Sequence, residues 1–371
     1  MNYPDNLKPT PFLPLYGDGV VEWTDVLGFA MPLTWGDVPG EYGAIRNAVA
    51  AIEFSVLLKY EVKGPGALAT VDAVYSRDVA GMAAGKIAYG VIVTDEGYMI
   101  DDCTVFVHGP EHVQVIGGSE HIGESLLRAA RPGTVIAERR GDLAQLAVQG
   151  PNSRALLQRL TTADLSNKAL PYYNFITGIE VAGIPAQLSR LGFTGELGYE
   201  VIIPVARAAD LWAALTKEGR DLGFRAAGGA ALMTVRMEAG LLLSGLDYGP
   251  GTTPWECRMG WALDLKKAEF QGKDALIALK DQVRTRVVTI VLDATDINLE
   301  GNRLELDGRP VGNVFMALPS PYLHGNIISM VTVDANASKA GTKLTLAEHP
   351  GLAVEVVSTP VYDPERSRAR S

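Results

Sequence analysis

Residues Tyr89–Ile116, YGVIVTDEGYMIDDCTVFVHGPEHVQVI, read as three short antiparallel strands. Val91-Ile92-Val93 leads into the turn Asp95-Glu96-Gly97, Met99 to Val107 runs up to His108-Gly109-Pro110, and Val113 to Ile116 returns. Both connections carry turn residues, and the runs between them are rich in Val, Ile, Phe and Tyr. Asp101-Asp102 is the anomaly, because Asp is depleted from strand interiors. Neighbouring strand residues point to opposite faces, so one of the two carboxylates faces whatever the sheet covers. A carboxylate held there costs free energy unless it is hydrogen-bonded or used. The pair is therefore either a functional group or a solvated strand end.

Outward from the meander, the chain of 371 residues is long enough for two or three domains. Its 47% hydrophobic and 20% charged residues are ordinary for a soluble globular protein. A formal net charge of −10 argues against nucleic acid or an acidic membrane as partner, while leaving room for a local basic pocket. Cys103 and Cys257 form neither a disulfide framework nor a zinc spacing, which fits a reducing cytoplasm. The opening residues are too polar and proline-rich for a signal peptide, and no run approaches a membrane span.

The first forty residues read as loop, with Trp23 and Trp35 as anchors. Helices are expected at Glu41 to Ala51, Ala67 to Tyr75, Ser119 to Ala130, Ser153 to Leu160, Ala206 to Thr216 and Ala227 to Ala239. Strands are expected at Leu57 to Val62, Ala144 to Val148, Ile179 to Val181, Ala186 to Leu191, Tyr199 to Ile203 and Ala262 to Leu265. Mixed helices and hairpins make this region α+β. Beyond a charged linker around Lys280 to Arg286, strands at Val287 to Leu292, Arg309 to Ala317, Asn326 to Val333, Lys343 to Leu346 and Ala353 to Val357 make an all-β barrel or sandwich. The tail Asp363 to Ser371 reads as polar and disordered. No phosphate-cradling glycine loop is present.

Three more clusters ask for a reason. In SRLGFTGELGYE (189–200), closely spaced glycines imply positive φ or close backbone approach, and Glu196 sits at the tip. It is either a ligand acceptor or a solvated turn acid. Arg236, in the last turn of a small apolar helix, either complements the helix end or clamps an anion. Trp255 and Trp261, in TTPWECRMGW (252–261), either cover a flat ligand or anchor the core. His108 and His112 share a turn without a third ligand and read as surface residues.

In order and spacing, these strings resemble the glycine cleavage T-protein (aminomethyltransferase) family, which includes folate-dependent demethylases. The resemblance runs from RNAVAAIEFSVLLKYEVKGPGA (46–67) through GYMIDD, SRLGFTGELGYE and VRMEAGLLLSGLDYGPGTTPWECRMGWALDL to FQGKDAL (270–276), covering about Trp35 to Tyr362. It implies a three-domain cloverleaf: two intertwined α+β domains within residues 1–280 around a central tetrahydrofolate channel, and a β-barrel domain over 285–371. It implies Asp102 as the catalytic carboxylate near the reacting folate nitrogens. Glu196 would be the acid receiving the pterin's amino and ring N–H groups, with Arg236 behind that pocket and Tyr89 and Trp261 enclosing the ring. Asp101, Phe106 and Gly118 fall at further positions beside the folate.

The departures are Gly117-Gly118 in place of the family's Asn, Phe106 in place of Tyr, Glu53-Phe54-Ser55 in place of Asp-Val-Ser, and Trp255 in place of a smaller residue. The late folate-tail arginine has no assigned counterpart. Because the changes gather on the substrate side, the expected function is methyl transfer from a small N-, S- or O-methylated metabolite to tetrahydrofolate. The alternatives are aminomethyl transfer from a lipoyl carrier protein, and a non-catalytic folate-binding accessory role.

Overall fold

Lys86–Val93, Met99–Gly109 and His112–Gly117 form the antiparallel meander, continued by Leu58–Lys63 and Val135–Glu138 into a five-stranded sheet. These strands belong to a computed structural model that describes residues 3–295 and 297–371. Helices Ala67–Val74 and His121–Ala129 cover one sheet face, packing Val71, Val74, Ile122 and Leu126 against Cys103, Val105, Val107 and Val115. This burial is the main force holding the layer together. It leaves the other face, carrying Asp102, Thr104 and Phe106, for the rest of the chain.

A second sheet runs Phe175–Val181, Ile184–Ser189, Gly198–Pro204, Leu143–Gln149, Val49–Glu53 and Phe224–Ala226. Its last pairing is parallel. One face packs on Ser153–Leu160 and Ala208–Glu218 through Leu156, Leu157, Leu211 and Leu215. The other packs on Val38–Asn47 and Gly229–Glu238 through Ala44, Ile45, Ala231 and Val235.

The third sheet closes. Thr285–Leu292, Ala353–Val357, Lys343–Leu346, Arg303–Leu306, Arg309–Asn313 and Ile327–Asp334 pair in turn, and Ile327–Asp334 returns to Thr285–Leu292 to complete a barrel. The fold is thus the α+β cloverleaf with an all-β C-terminal barrel. Among the described residues no helix is long and apolar enough to cross a membrane.

Four local expectations are corrected. Val49–Glu53 is a strand, not the end of a helix; the helix stops at Asn47, where Ala48 turns to φ −139°, and the fully buried strand pairs on both sides. The opening region contains a hairpin, Glu22–Val26 with Phe29–Thr34, whose Pro32 hid the second strand from a pattern reading. Ala262 to Leu265 is not a strand; Ser76 holds Ala262 O (2.8 Å) and Asp264 N (2.8 Å) instead of a ladder. The polar tail is ordered, with Ser367–Arg370 a helical turn held to Asp363 and Ala369 buried.

The second layer and the C-terminal module meet at one cation. Arg46 donates through Nη1 to Thr194 O (2.7 Å) and Glu196 (3.1 Å), and through Nη2 to Val235 O (3.1 Å) and Glu238 (2.6 Å). Its guanidinium lies 3.7 Å from the Tyr362 ring centroid, and the Tyr362 hydroxyl donates to Glu196. Glu238 also receives Tyr42 (3.1 Å) and Ser320 (2.6 Å), the latter from the barrel. Removing one partner of such a buried cluster strands the others. Arg46→Met is expected to lower the unfolding free energy by about 3–5 kcal/mol. A urea midpoint matching the wild type would show that the cluster contributes nothing to stability.

Candidate active site

Between the meander, the second sheet and the barrel lies a cavity of about 2040 Å³. Ligand pockets are usually several-fold smaller, so there is room for an extended ligand together with a second reactant. Tyr89, Asp101, Asp102, Gly118, Glu196 and Trp261 all line it. Arg236 and Phe106 do not.

Asp102 reaches the wall from the open face of the meander. Its Oδ2 accepts the Tyr89 hydroxyl at 2.6 Å, and its Oδ1 accepts the Tyr248 hydroxyl. Trp261 stacks on Tyr89, with ring centroids 5.9 Å apart and planes 30° apart, and is 59% exposed, placing it at the mouth. Asp101 turns to the opposite strand face, where its Oδ2 accepts Gly118 N–H (2.6 Å) and Ser119 N–H (3.1 Å). A Cβ at Gly117 would come within 2.7 Å of that same oxygen, so glycine there lets the carboxyl sit against the backbone.

Glu196 is nearly enclosed, and both its oxygens are engaged: Oε1 by Arg46 and Tyr362, Oε2 by Arg368 at 3.7 Å. Arg236 is fully buried and paired to Asp247. Asp247 also receives Leu243 N–H (2.7 Å), so the pair shapes the loop that delivers Tyr248 to the two aspartates. Phe106 packs edge-on against Phe175, centroids 5.3 Å apart, in an apolar cluster between sheets. Trp255 is turned away from the cavity, its indole N–H donating to Leu276 O at 2.9 Å. His108 and His112 are half-buried rather than surface residues, stacked at 4.0 Å, and burial lowers the His108 pKa to about 4. Among the described residues, no group of three or more His, Cys, Asp or Glu is placed to hold a metal.

Sequence reasoning missed Tyr248, Glu200, Gln145 and Lys59. Glu200 lies on the strand Gly198–Pro204, one residue beyond Tyr199 in the string already singled out. The oddity that flagged Asp101-Asp102, a carboxylate in an apolar strand, applies equally to it. Its Oε2 accepts Gln145 Nε2 at 2.8 Å, while Gln145 Oε1 is buried without a partner. Lys59 is fully buried and donates to Leu57 O (2.9 Å) and Ser55 O (3.2 Å), pinning a loop that forms part of the wall.

Electrostatics follow from the enclosure. Burial raises the Asp102 pKa, with Tyr248 and Tyr89 pulling against it. Asp101 is pushed up to about 7, by burial first and by the Asp102 charge second. Burial lifts Glu200 to about 7, offset in part by Gln145 and Lys59, and lowers Lys59 to about 7. Carboxyls that titrate near neutrality in a cavity suit acid–base work.

The family model described as GCVT N-terminal domain matches residues 18–267. An aminomethyltransferase of Chloroherpeton thalassium is 32% identical over 343 residues, covering 91% of this chain and 94% of that protein. A trimethylamine-oxide aldolase of Ruegeria pomeroyi is 32% identical over 345 residues, 89% of this chain but 44% of that longer protein. Among solved structures, the glycine cleavage system aminomethyltransferase T from Bartonella henselae superposes with a TM-score of 0.85 at 24% identity, covering 96% of this chain and 98% of that one. At that identity the match speaks for the fold.

Glu200 makes stability depend on pH. A carboxyl whose pKa rises from 4.5 to about 7 on folding favours the folded state below 4.5, and that contribution fades as pH climbs through 7. Glu200→Gln, which never ionises, should therefore gain stability relative to the wild type across that window. Parallel urea midpoints over the range, with no change in their difference, would contradict it.

Proposed function

This chain belongs to the glycine cleavage T-protein family, which is folate-dependent, and on that premise we propose that its central cavity receives tetrahydrofolate and moves a one-carbon unit onto it. The observation that carries the proposal is the spare acceptor capacity of Glu200 and Gln145, side by side in the cavity wall. The Gln145 carbonyl oxygen has no partner, and only one Glu200 oxygen has one. A buried acceptor left unmade costs about 1–3 kcal/mol, and the amino and ring N–H groups of a pterin are donors suited to such a pair. Glu196, with both oxygens engaged by protein groups, is the less available acid. Leu191, Phe193 and Phe54 line the cavity and offer apolar contact to the ring. Arg366, which also lines it, is the cation placed for an acidic folate tail.

When bound, the reduced folate supplies the nitrogen that takes the carbon. The protein's part is to orient and to handle protons. Asp102 holds or takes a proton where the carbon–heteroatom bond breaks. Tyr89 fixes the Asp102 carboxylate, and Trp261 stacked on it limits water at the mouth. Residues 1–280 would supply this machinery, while the 285–371 module closes the cavity from the side of Tyr362 and Arg366.

Aminomethyl transfer from a lipoyl carrier protein stands first as the donor reaction, because a relative of that name aligns over nine-tenths of both chains. Trp255, one of the departures that turned the sequence reading toward demethylation, lies outside the cavity wall and lends no support to an altered substrate. Release of carbon from a small methylated amine stands second. It is favoured by the similarity to trimethylamine-oxide aldolase and by Gly118, whose lack of a side chain leaves space beside Asp101.

The test supplies tetrahydrofolate with either an aminomethyl-loaded lipoyl carrier or a panel of methylated amines, sulfonium compounds and methoxyarenes. Ammonia release that requires the carrier supports the first reading, turnover of a free methylated amine the second, and binding without turnover an accessory role. Asp102→Asn is expected to cut turnover by roughly 10²–10⁴-fold while sparing folate binding. Glu200→Ala should weaken tetrahydrofolate binding by about 1–3 kcal/mol in isothermal titration. Unchanged affinity in that variant would remove Glu200 from the pocket.

A further inference from the structure

Tyr248 stands between the two carboxyls of the meander. Its hydroxyl is hydrogen-bonded to Asp102 Oδ1, lies 3.2 Å from Asp101 Oδ1, and accepts the Asp102 N–H at 3.0 Å. A phenol has one proton. It cannot donate in full to both carboxylates, and a proton residing on one carboxyl would make the second contact.

The surroundings say which. Asp102 already receives a second hydroxyl, from Tyr89 at 2.6 Å, and two O–H donors mark it as the ionised partner. Asp101 places both of its backbone donors on Oδ2, leaving Oδ1, the oxygen facing Tyr248, free to carry a proton. Two carboxyls this close do not both ionise easily. The rise of Asp101 to about 7, driven by burial and then by the Asp102 charge, agrees with that order.

We propose that Asp101, Tyr248 and Asp102 form a proton relay in which Asp101 is the reservoir and Tyr248 the carrier for the carboxyl at the reacting centre. The Asp101 proton passes to the Tyr248 oxygen as the phenol's own proton passes to Asp102 Oδ1. Asp101 becomes a carboxylate, Asp102 a carboxylic acid, and the trio carries one negative charge before and after. No bond other than O–H changes and nothing is oxidised. The new Asp101 charge is met by the N–H groups of Gly118 and Ser119, which precede the helix His121–Ala129. Asp102 can then protonate a leaving nitrogen or sulfur although it begins ionised.

No other nearby group competes for this role. Tyr75, Tyr89, Cys103 and Cys257 have pKa values raised by burial and stay neutral. Asp247 is tied to Arg236, and Arg77 donates to Tyr89 O at 3.4 Å. On the adjoining helix, His121 pairs with Glu124 at 2.8 Å and Arg128 with Asp95 at 2.8 Å.

The relay rests on the folate-transferase reading, and its test separates the two. The infrared difference spectrum of the wild type minus Asp101→Asn at neutral pH should contain a protonated-carboxyl C=O band, one that Tyr248→Phe shifts and that is separate from the contribution of Glu200 common to both proteins. In turnover, Tyr248→Phe should slow the reaction roughly 100-fold and convert a curved proton inventory in mixed H₂O and D₂O to a linear one. Tetrahydrofolate affinity should stay at the wild-type value, which a tyrosine that merely shapes the cavity wall would not allow. A difference spectrum without a protonated-carboxyl band, or a proton inventory that stays curved in Tyr248→Phe, overturns the relay. A wild type that turns over no donor instead defeats the reaction reading, and the infrared comparison then decides alone whether Asp101 holds the proton through Tyr248.

Discussion

The guanidinium of Arg46 is the constraint on which the arrangement depends. It joins a helix of the second layer, the glycine hairpin, the end of helix Gly229–Glu238 and the ring of Tyr362 beyond the barrel. Two carboxylates, Glu196 and Glu238, are removed from water only because this cation and several hydroxyls accompany them. Desolvating three charges is expensive, and it is repaid only if every donor is in place. The geometry is therefore close to all-or-none: with the cluster formed, the second sheet's layer and the barrel have little freedom to shift, and they form two of the three sides of the cavity.

Around that fixed space the polar groups divide by how completely the protein satisfies them. Glu196, Glu238 and Arg236 are paired within the fold and hold its shape. Glu200 and Gln145 face the cavity with capacity to spare, and Asp101 and Asp102 are met there only by hydroxyls and backbone N–H groups. The distinction is whether an opposite charge or only neutral donors meet the group, not residue type, and it separates scaffold from chemistry more sharply than burial does. All of these side chains are largely out of solvent.

What could be read from the sequence follows the range of the forces involved. The meander was legible because its turns and alternation are local, and so were helix Ser153–Leu160 and the barrel strands other than the short, charged Arg303–Leu306. Val49–Glu53 was not, since a short apolar run suits a buried helix as well as a buried strand and only its two partner strands decide. Within one string, Glu196 and Glu200 look equivalent; contacts with Arg46, distant in the chain, set them apart. Tyr248 carries no local signal at all, because its position depends on the Arg236–Asp247 pair bending the loop before it.

The reach of Ser320 and Tyr362 back to Glu238 and Glu196 has a consequence for how such a chain can be divided. A cut near residue 280 looks harmless on a linear map, yet it would strip hydroxyl donors from two acids that lie on the far side of the cut. Gene rearrangement or protein engineering that splits the chain there would hand the first piece an electrostatic debt formed by groups it no longer owns. The unit that can be transplanted into a larger polypeptide is the whole cloverleaf, tail included.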